Sequence, residues 1–79
     1  MNITFFYTDE CKKCAELKPI IEEFSKDLGI KMVNTYEETL ITENYNVIWV
    51  PTLVIEDESG KYNFEGVNEI KDVLKKIVL

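Results

Sequence analysis

Cys11-Lys12-Lys13-Cys14 is the one stretch whose residue types and spacing carry chemistry on their own. Two cysteines three apart on the first turn of a helix can close a disulfide with little rearrangement. They also share unpaired backbone N–H groups that favour negative charge. A thiolate forms more easily there than in a free thiol, and thiolate is the species that attacks a disulfide. Lys12 and Lys13 add two ammonium groups, which Asp9 and Glu10 oppose. Aligned amides aimed at the sulfur outweigh solvated side chains, so the balance favours the Cys11 thiolate.

The same pair supports a reading from a different class, a non-catalytic metal-binding or metal-delivery module. A closed zinc or iron–sulfur site takes about four ligands. The chain holds two cysteines and no histidine, so Asp9, Glu10 or a second subunit would have to complete such a site. A third reading is a pair of inert structural thiols. The missing histidine also removes imidazole bases, Ser-His-Asp arrangements and histidine-ligated metals.

Seventy-nine residues make one domain, 1–79, because no second core could be filled from the remainder. Nine basic against fifteen acidic residues give a net charge of −6, which argues against nucleic acid or an anionic membrane as a partner. The longest apolar stretch, Val47 to Ile55, is interrupted by Pro51 and Thr52 and is too short to span a bilayer. No basic region followed by an apolar run opens the sequence, so a cytoplasmic location is expected. There a cysteine pair is more often catalytic or metal-binding than a structural bridge.

The elements that position the pair follow from periodicity. Asn2 to Tyr7 is dense in β-formers and reads as a buried strand. Thr8 or Asp9 is placed to cap the next helix. Cys14, Leu17, Ile21, Phe24 and Leu28 recur at helical spacing; Pro19 should kink that helix and Gly29 ends it. Ile30 to Asn34 is a second strand. Thr35-Tyr36-Glu37-Glu38 has capping-box spacing and predicts a short helix from Thr35 to near Tyr45. Thr52 to Glu56 is a third strand, Asp57-Glu58-Ser59-Gly60 a hairpin turn, and Lys61 to Glu65 a fourth strand. Asn68 is expected to cap a last helix whose stripe is Ile70, Val73, Leu74, Ile77 and Val78. The order is βαβαββα. It predicts an α/β fold whose four-stranded mixed sheet is parallel at the front, antiparallel at the back, and covered by helices on both faces.

With these residues in place the chain resembles the thioredoxin fold, in its small, glutaredoxin-like form. The cysteine pair follows the first strand, Pro19 lies five residues beyond Cys14, Val50-Pro51-Thr52 occupies the family's cis-proline segment, and Glu65-Gly66 precedes the last helix. The resemblance spans essentially the whole chain, which lacks the additional N-terminal strand and helix of larger thioredoxins. It implies that Cys11 is the exposed nucleophile and Cys14 the resolving thiol. It also implies that Pro51 is cis beside them, although trans is the commoner state of such bonds, and that Val50 offers its backbone to an extended substrate chain. The sequence departs from the family at Lys12 and Lys13, which stand where thioredoxins carry Gly-Pro and many glutaredoxins Pro-Tyr. Gly66-Val67-Asn68 keeps only part of the glutaredoxin Gly-Gly-Asp pattern that helps hold glutathione, and no residue matches the buried aspartate of larger thioredoxins.

The expectation is a thiol–disulfide oxidoreductase that reduces protein disulfides and draws electrons from a thioredoxin-type reductase or from glutathione. A thioredoxin-like donor is favoured over a glutathione-dependent glutaredoxin. No bound cofactor is needed, no metal is assigned, and a monomer is expected. Ribonucleotide reductase is one client the resemblance allows. Trp49, two residues before Pro51, reads equally as core or docking surface. Thr52 belongs to the same segment, and Tyr7 reads as packing beneath the pair. Lys12 and Lys13 read as solvated helix residues that can also tune the thiol and select an anionic partner. A fold retained only as an adaptor, binding through Val50 and Trp49, is the weakest reading.

Overall fold

The computed structural model describes residues 1–78. The strands are β1 (Asn2–Tyr7), β2 (Lys31–Asn34), β3 (Thr52–Asp57) and β4 (Gly60–Glu65); the helices are α1 (Lys12–Leu28), α2 (Thr39–Asn44) and α3 (Val67–Val78). They follow in the order βαβαββα. The sheet runs β2-β1-β3-β4, with β1 parallel to β2 and antiparallel to β3, and β3 antiparallel to β4. The parallel pair is joined by the long crossover α1, the last pair by the two residues Glu58 and Ser59.

Alternation along β1 divides the core. Ile3 and Phe5 face one side of the sheet, where they pack with Cys14, Leu17 and Ile21 of α1 and Ile70 and Leu74 of α3. Phe6 faces the other side with Val33 and Val54, and there Ile41 of α2 and Tyr45 cover it. Helices therefore lie on both faces. Phe5 and Phe6 are wholly buried, and each such side chain contributes about 1.5–3 kcal/mol relative to an exposed one. Consecutive aromatics pointing to opposite faces thus tie both helix layers to the strand that leads into the cysteines.

Local chemistry fixes the ends of the elements. Gly29 closes α1 in the left-handed conformation, φ 65°, and its N–H donates to the Ser25 carbonyl at 2.8 Å. The Ser25 hydroxyl oxygen then accepts the Ile30 N–H at 2.9 Å. This pairing sets the entry into β2, which begins at Lys31 rather than at Ile30. α1 runs without interruption through Pro19, whose exposed ring lies away from the core face.

Three caps differ from expectation. Neither Thr8 nor Asp9 caps α1; Cys11 does so with its sulfur. The Thr35–Glu38 capping box does not form, because its two backbone donors go elsewhere, the Thr35 N–H to the Tyr7 carbonyl at 3.0 Å and the Glu38 N–H to the carbonyl of Asn34 at 2.9 Å. Asn34 Oδ1 accepts the N–H of Tyr36 at 3.0 Å and of Glu37 at 3.4 Å, an Asx turn that delays α2 to Thr39. Asn68 lies inside α3, and the residue before that helix is Gly66, whose carbonyl accepts the Ile70 N–H at 3.1 Å. Gly66 holds φ 87°, a turn that glycine makes at low cost and that lets α3 start one residue after β4. Of the expected α3 stripe, Ile70 and Leu74 are buried and Val73 and Ile77 half-buried, while the side chain of Val78 lies outside the described residues.

Candidate active site

Cys11 is the N-cap of α1, with extended backbone (φ −84°, ψ 111°), and its Sγ accepts the Cys14 N–H at 3.1 Å. Its carbonyl begins the helix by accepting the Ala15 N–H at 3.0 Å. The cap position therefore aims a backbone dipole at the sulfur without any further side chain. Cys11 and Cys14 are joined as a disulfide with Cα atoms 5.1 Å apart. The two sulfurs differ in access. Cys14 is 1% exposed among Ile3, Phe5, Leu17 and their neighbours, whereas Cys11 is only half-buried at the rim of that cluster.

The strand beneath the pair is packed rather than reactive. The Tyr7 ring stacks on Phe5 with centroids 6.1 Å apart, and the Lys18 ammonium lies 4.4 Å from its centroid. Asp9, two residues before Cys11, has its Oδ2 3.4 Å from the buried Asn34 amide, which anchors the loop that carries Cys11 to the end of β2.

A second segment completes the site. The β1–β3 register pairs Phe6 with Thr52, so Pro51 comes beside the end of the strand that feeds the cysteine loop. Pro51 is buried, the Val50–Pro51 peptide is cis, and the Pro51 carbonyl accepts the Gly66 N–H at 3.2 Å. Thr52 is buried and its hydroxyl donates to the Trp49 carbonyl at 2.6 Å, closing the turn. Val50 packs half-buried against the core on both faces of the sheet. Among the described residues its backbone N–H and carbonyl have no backbone partner. Trp49 is 66% exposed, so its ring is not core.

Two grooves flank this ridge. One, of about 270 Å³, lies between Thr8, Thr35, Tyr36, Val47, Ile48 and Val50. The other, of about 560 Å³, lies between the first turns of α1 and α3, lined by Lys13, Glu16, Glu65, Gly66, Val67 and Glu69 among others. Lys12 and Lys13 are both exposed, and only Lys13 lines a groove. Sequence reasoning did not single out Ile48, 81% exposed, or Tyr36, 72% exposed. No signal marked Ile48, which sits inside the apolar run Val47-Ile48-Trp49-Val50. Among the described residues no three His, Cys, Asp or Glu side chains gather as a metal site.

Comparison with known proteins agrees with this geometry. The thioredoxin domain family model matches residues 1–78. Thioredoxin Y, chloroplastic, of Oryza sativa subsp. japonica is 31% identical over 78 residues, covering 91% of this chain and 46% of the relative, so the chain spans about half that protein's length. Among solved structures, thioredoxin 1 from Thermosipho africanus TCF52B superposes with a TM-score of 0.82 at 26% identity, over 98% of this chain and 90% of that one. A Plasmodium falciparum thioredoxin does so at 0.78 and 26%, over 95% and 83%.

Proposed function

This chain belongs to the thioredoxin domain family, and we propose that within it the protein is a thiol–disulfide oxidoreductase that passes two electrons from a protein reductase to protein disulfides. The observation that carries this reading is the inequality of the two sulfurs, one at a helix cap within reach of a partner and the other sealed behind it.

In the reduced protein the Cys11 thiolate attacks one sulfur of the client disulfide. A new S–S bond forms to Cys11, the client bond breaks, and the client's second sulfur leaves as a thiolate that takes a proton from water. Cys14, deprotonated in turn, then attacks the Cys11 sulfur. The mixed disulfide breaks, the client's first sulfur departs as a thiolate that takes up the proton Cys14 gave up, and Cys11–Cys14 is left oxidised. The client has gained two electrons and two protons; the protein has lost the two electrons and the Cys14 proton, and the second proton came from water. A dithiol reductase restores the reduced pair by the same exchange in reverse.

The residues around the pair have roles in this step. The Cys14 N–H donates to the Cys11 sulfur and stabilises its negative charge before attack and as it leaves. Val50 presents a free N–H and carbonyl to which an extended client chain can pair as an added strand. Exposed Trp49 and Ile48 extend that contact with apolar surface. Lys12 and Lys13 favour thiolate through the solvent, weakly because they are exposed.

A thioredoxin-like donor is favoured over a glutathione-dependent one. The segment that opens α3, Gly66-Val67-Asn68, lacks a second glycine, and Glu65 and Glu69 flank it and would repel a tripeptide bearing two carboxylates. Insulin reduction followed by turbidity tests both parts. The expected result is turnover with thioredoxin reductase and NADPH, and turnover at least about tenfold slower with glutathione and its reductase, in line with like-charge exclusion. Faster turnover with glutathione would reverse the choice of donor, and no turnover with either or with dithiothreitol would remove the oxidoreductase reading.

A further inference from the structure

The sheet ends at β2 on one side and at β4 on the other, and the two edges differ. β2 is four residues long, a length that blunts an edge, and pairing it with itself would set Lys31 against Asn34. β4 runs for six residues in unbroken register with β3, with neither proline nor bulge. Alternate N–H and C=O groups along such a strand turn away from its neighbour. Among the described residues those of Lys61 to Glu65 that do so have no backbone partner. Lys61, Tyr62, Asn63 and Glu65 are exposed, and Phe64 is half-buried.

This edge is complementary to itself. Laid antiparallel on a second copy about Asn63, Lys61 comes opposite Glu65, Tyr62 opposite Phe64, and Asn63 opposite its counterpart. Directly opposed side chains share a face, and the register with β3 says which one. Tyr62 and Phe64 lie beside Ile55 and Leu53, on the face that α1 and α3 cover, whereas Lys61, Asn63 and Glu65 lie on the face of α2. A two-fold contact thus makes its ion pairs on one face and its aromatic pairs on the other, each a favourable cross-strand type. Tyr62 is still 47% exposed, so α3 leaves that side open. Among the described residues neither Lys61 nor Glu65 has an ion-pair partner, and the Lys61 ammonium rests over the Tyr45 ring, 4.9 Å from its centroid.

We propose that the β4 edge is a homodimer interface, at which two copies of this chain join antiparallel into one continuous sheet, β2-β1-β3-β4-β4-β3-β1-β2. The occupant is a second copy because reversal alone matches charge to charge and ring to ring at every position from 61 to 65. The contact is one strand wide, below the about 1,200 Å² at which stable interfaces begin. Both copies also carry a net charge of −6, so the dimer is weak and depends on concentration. The monomer expected from sequence is its dilute state. β4 leads into Gly66, which is bonded to the Pro51 carbonyl, so antiparallel pairing sets the two Cys11 rims at opposite ends of the joined sheet. The inference goes beyond the oxidoreductase reading and does not rest on it.

The test uses the full chain in its disulfide form, in which the two cysteines are bonded to each other and cannot link two copies. Sedimentation velocity is run in about 0.15 M salt, where screening beyond about 8 Å limits overall repulsion. The native chain should pass from monomer to dimer between about 10 μM and about 1 mM, the weak end of protein association. Lys61→Glu and Glu65→Lys each oppose like charges at both ends of the contact, and each should weaken dimerisation at least about tenfold. Glu65→Lys makes the chain less negative, so net charge alone would act the other way. Mixed in equal amounts, the two variants are complementary again and should dimerise as the native chain does. A second readout needs no variant: hydrogen exchange of amides within Lys61 to Glu65 should slow as the native concentration rises. A native chain still monomeric at about 1 mM, or β4 amides indifferent to concentration, would overturn the proposal. So would single variants that associate like the native chain, or a mixture no more dimeric than its parts.

Discussion

At Thr52 a buried hydroxyl donates to the Trp49 carbonyl at 2.6 Å, so a side chain rather than a backbone ladder closes the turn that presents Val50. Replacing the hydroxyl with a methyl keeps the volume and removes the bond. For Thr52→Val we expect the KM for a disulfide client to rise about three- to tenfold, the effect of one hydrogen bond of about 1 kcal/mol. Steady-state kinetics on insulin with dithiothreitol as electron source checks this; an unchanged KM would mean the turn is held by packing alone. The Cys11–Cys14 pairing could be read from spacing and the cis Val50–Pro51 peptide from the family resemblance. The partners of Thr52 could not, because a threonine after a proline carries no sign of where its hydroxyl points. Ile48 was unreadable for a related reason: only tertiary packing decides which residues of an apolar run stay outside.

Among the elements, the β3–β4 hairpin was legible to within one residue at each strand end, since Asp57-Glu58-Ser59-Gly60 marks its own turn, with Asp57 and Gly60 paired as the last and first strand residues. Its mechanism is local. Asp57 Oδ1 accepts the Ser59 N–H at 2.8 Å and the Ser59 hydroxyl at 2.6 Å, and these bonds hold the Asp57 carboxyl below the usual aspartate range. A depressed folded-state value means that the charged form stabilises the fold above the ordinary value of 3.8, and that this contribution is lost as pH falls through the lowered one. The stability gap between the native chain and Asp57→Ala should therefore be full at neutral pH and shrink as the pH drops below 3.8. Urea denaturation across that range measures it, and a gap independent of pH would contradict the assignment. The second helix was read too early because two local signals competed. Thr35 had the spacing of a cap, but Asn34, one residue earlier at the end of a strand, takes the Glu38 N–H on its carbonyl and the Tyr36 and Glu37 N–H groups on its side chain. Such contests are decided by a few tenths of an ångström, which pattern alone does not contain.

For the whole molecule, the sheet order β2-β1-β3-β4 is what turns separate motifs into a site. Antiparallel pairing of β1 with β3 brings Pro51 beside the loop that carries Cys11, and the Pro51–Gly66 hydrogen bond adds the first turn of α3 to the same rim. The two sequential pairings followed from connection length, a long helical crossover for the parallel pair and a two-residue loop for the antiparallel one, but the β1–β3 pairing that joins them did not. The grooves did not follow, because their walls come from loops that are distant in sequence. The pair itself also depends on the entire core, since Cys14 is sealed by residues from both helices on its face and from β1 and β3. The proposed order of attack, Cys11 first and Cys14 second, rests on this burial. The most direct test mixes the reduced single variants Cys14→Ser and Cys11→Ser with a disulfide client and reads the adducts by intact mass under non-reducing conditions. Cys14→Ser should accumulate a stable mixed disulfide through Cys11, and Cys11→Ser should form almost none. Equal adducts from the two variants, or an adduct on Cys14 alone, would contradict the account.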